Sequence, residues 1–219
     1  MKIIAVNGSP RKKWNTDTLL QKALEGAAAQ GAETELIQLG DIDFRGCRSC
    51  FGCKLVGGKH ECFMRDGLTP VLEKLRNADG VIFGSPIYFR GITPDMHACL
   101  ERLFFPYLMY SRETPSAITR KLPTAYIYTM NAPEKLMAPF KDQLDPFAGF
   151  TEMVLGDKPE TLLSYDTWQY TNYDKYEHSI FSVEDKKRQR EQQFPLDCQA
   201  AYELGVKLAK RAAELKNSK

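Results

Sequence analysis

Four of the six cysteines in the chain, Cys47, Cys50, Cys53 and Cys62, crowd into one stretch with the spacing C-x2-C-x2-C-x8-C. Thiolates at x2 intervals wrap a loop around one centre, and a more distant fourth completes an all-thiolate shell of the kind that holds a 4Fe-4S cubane. Gly57 and Gly58 lie in the long interval and let it fold back; under the logarithmic loop law a few extra residues cost only about tenths of a kcal/mol to close. Three other readings stay open. Zinc could take the same four thiolates, or three of them with His60. Cys47 and Cys50 could form a reversible disulfide, or all four could be free thiols. Cys99 and Cys198 fall on expected helices and read as ordinary core or surface thiols.

A second constellation suits an anion. Gly8-Ser9-Pro10-Arg11-Lys12-Lys13-Trp14-Asn15-Thr16 lies between an expected strand and an expected helix, where the helix start offers unpaired N–H groups and a positive dipole end. The pattern is neither Gly-Lys-Ser/Thr-ending nor G-x-G-x-x-G, so it supports neither a nucleoside triphosphate nor a dinucleotide. A small phosphate fits better: Ser9, Asn15, Thr16 and Thr18 supply donors, and Arg11 a bidentate charge. Two later loops leave strands in the same way. Ser85-Pro86-Ile87-Tyr88-Phe89 offers a stiff turn, flat apolar surface and N–H groups for the edge of a planar ring, and Met130-Asn131-Ala132-Pro133 could close its other side.

The elements that must position these loops follow from hydrophobic spacing. Lys2 to Asn7 is a short apolar run ended by Gly-Ser-Pro, which predicts a buried strand. Leu19, Leu20, Ala23, Leu24 and Ala27 predict a helix with Asn15 to Thr18 at its start and Gly31 at its stop. With a strand over Thr34 to Leu39 this makes a βαβ unit and parallel pairing. A helix near Leu68 to Asn77, a strand Gly80 to Gly84, the loop Ser85 to Thr93, a helix near Pro94 to Phe105 and a strand Leu122 to Met130 continue the alternation. Glu134 to Met153 carries Leu136, Phe140, Leu144 and Phe147 at helical spacing, broken by Pro139 and Pro146. Thr161 to Tyr165 could form a fifth strand. A last helix takes Pro195 in its first turn and carries a stripe of Ala201, Leu204, Leu208, Ala212 and Leu215. Five strands alternating with helices predict an open, doubly wound α/β sheet, with ligands beyond the carboxyl ends of the strands.

Composition sets outer limits. The chain has 219 residues, 43% of them apolar and 26% charged, with a formal net charge of +2, which excludes collagen-like, coiled-coil and disordered classes. The basic runs are short, and the later one, Lys186, Lys187, Arg188 and Arg190, reads as a solvated helix face, so nucleic acid and acidic membranes are not expected partners. The first residues lack the apolar core of a secretory signal, and no apolar run reaches the roughly 18 residues of a membrane span; a cytoplasmic location is expected, and with it thiols free of structural disulfides.

G-S-P-R followed by N-T, and then G-S-P-I-Y-F, resemble the flavodoxin-like NAD(P)H-dependent FMN reductases. Within that superfamily the stretch from Gly46-Cys47 to Cys62 resembles the iron-sulfur flavoproteins, although eight residues between the last two cysteines make that interval slightly longer than their motif. The motifs span about the first 155 residues. The resemblance implies a flavodoxin-like sheet of order 2-1-3-4-5, helices on both faces and one FMN. It implies the phosphate on Ser9, Arg11, Asn15, Thr16 and Thr18, and the isoalloxazine on Pro86, Ile87, Tyr88, Phe89, Met130 and Asn131. Residues 1–219 then form one domain with a cysteine-rich loop 45–63 and a C-terminal extension 166–219.

The activity implied is an FMN-dependent oxidoreductase, like an NAD(P)H-dependent FMN or quinone reductase. With a 4Fe-4S cluster it would pass electrons singly to a small-molecule or ferredoxin-like acceptor. Hydride transfer to a flavin needs no acid–base side chain, and His60, His97 and His178 show no nucleophile partner, so no catalytic residue is assigned. Two alternatives are an FMN-binding electron carrier without its own nicotinamide site, and a metal-thiolate protein on the same frame. Trp168, Tyr170, Tyr173, Tyr176 and Phe181 punctuate a polar stretch; such aromatics are enriched at interfaces, and a homodimer or homotetramer is expected to use them.

Overall fold

The computed structural model describes residues 1–141 and 147–217. Five parallel strands, β1 (Lys2–Asn7), β2 (Glu33–Gln38), β3 (Gly80–Pro86), β4 (Thr124–Thr129) and β5 (Glu160–Ser164), form one sheet in the order β2-β1-β3-β4-β5. The expected order and the five strands are both observed. Shifts at strand ends are small: β3 runs on through Ser85 and Pro86, which pair with Tyr128 and Thr129, so the loop that follows starts from within the sheet.

Alternation within the strands separates two cores, as a sheet covered on both faces requires. Ile4, Val6, Val81, Phe83, Tyr126 and Tyr128 pack against α2 (Leu68–Asn77) and α3 (Pro94–Phe104). Ile3, Ala5, Ile82, Ala125 and Ile127 face α1 (Asn15–Ala28) and the C-terminal helix. Thr93 starts α3 by accepting from the Met96 N–H, and Pro94 takes the first helical position, which needs no N–H.

Two regions need a closer description. The stretch Glu134 to Met153 is interrupted, as its prolines require: α4 (Glu134–Met137) runs into a 3-10 turn (Ala138–Phe140), where Pro139 lacks the N–H that a continuing helix needs, and α5 (Ala148–Leu155) is a separate element. Leu144 and Pro146 lie outside the described residues. The last helix takes Pro195 in its first turn, as expected, but the helical run that leads into it begins earlier. Ser182 accepts from the Asp185 N–H to open α6 (Val183–Arg188), which passes through a π-helical stretch (Gln189–Gln193) into α7 (Phe194–Asn217). Widening the turn just ahead of Pro195 lets its ring sit inside a continuous helical run.

Candidate flavin groove and cysteine loop

The carboxyl ends of β1, β3 and β4 open on one edge, and the three expected loops meet there. After Asn7 the chain bends sharply: the Asn7 side chain accepts from the Ser9 N–H at 2.9 Å, and Ser9 Oγ from the Arg11 N–H at 3.2 Å. Lys13 takes a left-handed φ of 56° and donates its N–H to the Asp17 carboxylate, so the turn closes on the start of α1, whose first N–H groups have no partner within the helix. Ser9, Asn15 and Thr16 are buried around this turn. Thr16 and Thr129 share a hydroxyl–hydroxyl hydrogen bond of 2.8 Å, which ties the turn after β1 to the end of β4.

The second loop is bound to the first by Thr93, whose hydroxyl donates to the Gly8 carbonyl at 2.8 Å. Tyr88 and Gly91 exchange N–H to carbonyl bonds around Phe89 (φ 50°) and Arg90 (φ 68°). A two-residue turn with both centres left-handed normally calls for Asn or Gly; holding Phe and Arg there stores strain of the kind concentrated at ligand sites, and it projects Phe89 fully into the open. In the third loop Met130 donates its N–H to Ser164, and its carbonyl accepts from Thr167 through both N–H and hydroxyl. The side-chain Oδ1 of Asn131 is buried without a hydrogen-bond partner.

These residues line one groove with two lobes that share Ile87, Met130 and Asn131. The smaller, about 120 Å³, is bounded by Ser9, Arg11, Trp14, Asn15, Thr16, Pro86, Tyr88 and Thr129. The larger, about 760 Å³, opens between Phe89, Arg90, Ala132, Pro133 and Lys186, within the size range of cofactor clefts. The expected FMN residues are thus brought together, Phe89 in the larger lobe and the others between the two. Thr18 is the exception: it lines neither lobe, and its hydroxyl donates to the Trp14 carbonyl one turn back, at 2.9 Å.

Sequence reasoning left out Trp14, Thr129, Thr167, Gln169 and Lys186. The C-terminal extension roofs the smaller lobe: Arg11 donates to the Gln169 carbonyl at 2.7 Å, while Trp14 and Asn15 both donate to that of Trp168. Trp168, Tyr170, Tyr173 and Tyr176 pack on one another, with Tyr170 stacked on Tyr176 at 4.5 Å between ring centroids. The basic run is not wholly a solvated face. Lys186 is buried and its ammonium donates to the Asn131 carbonyl and to Asp166, while Arg190 reaches the Asn15 side chain at 3.2 Å. A carboxylate at Asp166, twenty positions earlier in the chain, is the signal that a lysine here could be paired inside.

The groove fits FMN on its own evidence. First-turn amides and the Arg11 guanidinium suit a phosphate dianion, and an unpartnered Asn131 oxygen beside the larger lobe suits a ring N–H.

The cysteine loop runs between β2 and α2, pinned to the C-terminal end of α3. Lys54 donates to the carbonyls of Phe105 and Leu108 and lies 4.3 Å from the Phe105 ring centroid, a cation placed where the helix end is negative. Ser49, Phe51 and His60 hold left-handed φ values near 50°, at 51°, 54° and 51°. Cys47 and Cys50 are exposed, Cys53 buried and Cys62 half-buried, and all are free thiols. Among the described residues no three His, Cys, Asp or Glu side chains gather into a metal shell. The donor set nonetheless matches a thiolate cluster in its chemistry: four unpaired thiols on one clamped loop.

A profile of the NADPH-dependent FMN reductase family matches residues 1–153. An iron-sulfur flavoprotein of Methanocaldococcus jannaschii is 39% identical over 102 residues, 47% of this chain and 51% of that one. One of Methanosarcina thermophila is 31% identical over 102 residues, 47% and 52% of the two. The chain therefore spans about half the length of these curated relatives. Among solved structures, an NAD(P)H:quinone oxidoreductase from Methanothermobacter marburgensis superposes with a TM-score of 0.68 at 14% identity, covering 95% of this chain and 98% of that one. An azoreductase from Bacillus anthracis gives 0.62 at 14% identity, covering 94% and 99%; at such identities the likeness is one of fold. No helix among the described residues is long and apolar enough to cross a membrane. With the fold, the three loops and the family profile in agreement over the same residues, the chain belongs to the NADPH-dependent FMN reductase family.

Proposed function

We propose that this protein is an FMN-dependent oxidoreductase that draws electrons from NAD(P)H, and that its cysteine loop holds a 4Fe-4S cluster through which they leave for a small-molecule or ferredoxin-like acceptor. The observation that carries the flavin part is the meeting of three βα loops around a groove whose polar lining includes an unpartnered Asn131 oxygen. Ser9, Arg11, Asn15, Thr16 and the first-turn amides of α1 hold the phosphate. Pro86, Ile87 and Tyr88 give the ring one wall, Met130 and Asn131 the other, and Phe89 overhangs the larger lobe. FMN, when bound, supplies the two-electron carrier.

The chain's own groups supply orientation and charge. The Lys186 ammonium holds the Asn131 carbonyl and so sets the direction of the Asn131 side chain. Thr167 fixes the Met130 carbonyl, and Thr16 with Thr129 fixes the spacing between the phosphate and ring walls. Cys47, Cys50, Cys53 and Cys62 are the cluster ligands on this reading, and the relatives' names support it. A homodimer or homotetramer remains part of the proposal; Tyr176 is the exposed member of the aromatic group available for it.

Anaerobic purification followed by a visible spectrum, flavin and iron analysis, and NAD(P)H oxidation with a quinone tests the whole reading. One FMN per chain, iron near four per chain and acceptor-dependent NAD(P)H consumption are expected for a cubane-bearing flavin enzyme. A protein that stays colourless after reconstitution refutes the flavin part, and FMN without iron refutes the cluster part.

A further inference from the structure

Arg102 lies on α3 with its side chain wholly out of solvent. Its fork reaches both ends of the cysteine loop. Nη1 donates to the Arg45 carbonyl at 2.9 Å and to the Asp66 carboxylate at 2.6 Å, and Nη2 to the Met64 carbonyl at 3.4 Å. A fourth donor, Nε, points at Cys62 Sγ, 3.4 Å away. Burying a guanidinium costs several kcal/mol of hydration and survives only where its donors are met. Three of these contacts use strong oxygen acceptors. The fourth uses a sulfur, which is a weak acceptor as a thiol and a strong one as a metal-bound thiolate. A rigid, charged donor aimed at that atom is poorly matched to a resting thiol and well matched to a ligand sulfur.

We propose that Arg102 is a positioning residue for the cysteine loop, which holds Cys62 as a ligand through Nε and raises the reduction potential of the cluster that this sulfur helps to bind. This rests on the reading of the loop as a 4Fe-4S site. The electrostatics have a definite sign: a reduced cluster carries one more negative charge than an oxidised one, and a cation in hydrogen-bond contact with a ligand sulfur stabilises the reduced form. Asp66 neutralises part of that cation, so the two side chains move the potential in opposite directions.

The test uses the full chain, reconstituted anaerobically with iron and sulfide, with iron counted first and the cluster potential then measured by a redox titration followed by electron paramagnetic resonance. Arg102→Gln is expected to shift the potential to more negative values, Arg102→Lys to fall between it and the wild type, and Asp66→Asn to shift it to more positive values. A mere clamp on the loop would change iron content or stability without this ordered pattern. An iron-loaded Arg102→Gln protein at the wild-type potential overturns the inference. If that variant fails to fold or to take up iron, Asp66→Asn decides, and a potential there that is unchanged or more negative overturns it. Wild-type protein that takes up no iron defeats the cluster reading and this inference with it, whereas iron-loaded protein with unmoved potentials defeats this inference alone.

Discussion

The side-chain amide of Asn15 donates to the main-chain carbonyl of Trp168 at 2.9 Å, joining the first turn of α1 to a segment 153 positions later. The Trp14 indole donates to the same carbonyl at 3.1 Å. The C-terminal extension is therefore part of the smaller lobe of the groove, and both tryptophans of the chain stand beside it.

That placement predicts an optical signal. Titration of the flavin-free protein with FMN should quench tryptophan fluorescence saturably, in the wild type and also in Trp14→Phe, whose remaining Trp168 stands at the same end of the groove. Tryptophan emission unchanged at saturating FMN would place the flavin elsewhere.

Asn131 separates binding from folding. Its Oδ1 has no partner to lose, so Asn131→Leu should leave the flavin-free protein as stable as the wild type or up to about 1 kcal/mol more stable, because it removes an unsatisfied buried polar atom. FMN affinity should fall about tenfold, the cost of one good hydrogen bond to the ring. Thermal unfolding with and without FMN checks both halves.

Much of this was legible beforehand. The strand–loop–helix alternation and the Gly-Ser-Pro turns carry their information locally, through periodicity and restricted backbone angles, so the sheet and the three loops follow from short stretches. What escaped depends on distant partners. Lys186 looks like one cation in a solvated run, and only its contact with Asp166 and the Asn131 carbonyl takes it inside. Thr18 shares residue type and neighbourhood with Thr16, yet helix phase turns one hydroxyl to Trp14 and the other to Thr129. Nothing in the spacing of Pro195 announces that a π-helical turn ahead of it would carry the helix back to Val183.

Helix packing on the other face offers a stability test. A Cβ on Gly205 would lie 1.8 Å from the Ala23 carbonyl oxygen, and one on Gly26 2.0 Å from that of Tyr202. Both obstacles are main chain, so α1 and α7 would have to separate. Gly205→Ala should destabilise the fold by about 3 kcal/mol, at the upper end of ordinary overpacking, as read from urea unfolding.

Acid stability should report Asp79. Burial alone would raise its carboxyl, but the Lys2 N–H at 2.7 Å and the Lys216 ammonium at 3.3 Å outweigh that and hold it below the ordinary 3.8. A carboxylate whose folded pKa is lowered stabilises the fold above its unfolded pKa and loses that contribution as pH falls through the folded value. The stability gap between wild type and Asp79→Asn should be constant above about pH 5 and close progressively below pH 3.8.

Thiol chemistry should divide the cysteines. Burial pushes the Cys99 thiol up to about 12, so it should resist alkylation until the protein unfolds, while the exposed Cys47 and Cys50 are labelled first in cluster-free protein. Peptide mapping after timed alkylation reads the order.

The most direct measurement is an equilibrium titration of flavin-free protein with FMN. Saturation at one FMN per chain in the wild type, with weakened uptake in Thr16→Val and Asn131→Leu, is the predicted result. The absence of saturable uptake, or uptake that neither substitution weakens, would contradict the assignment of the groove.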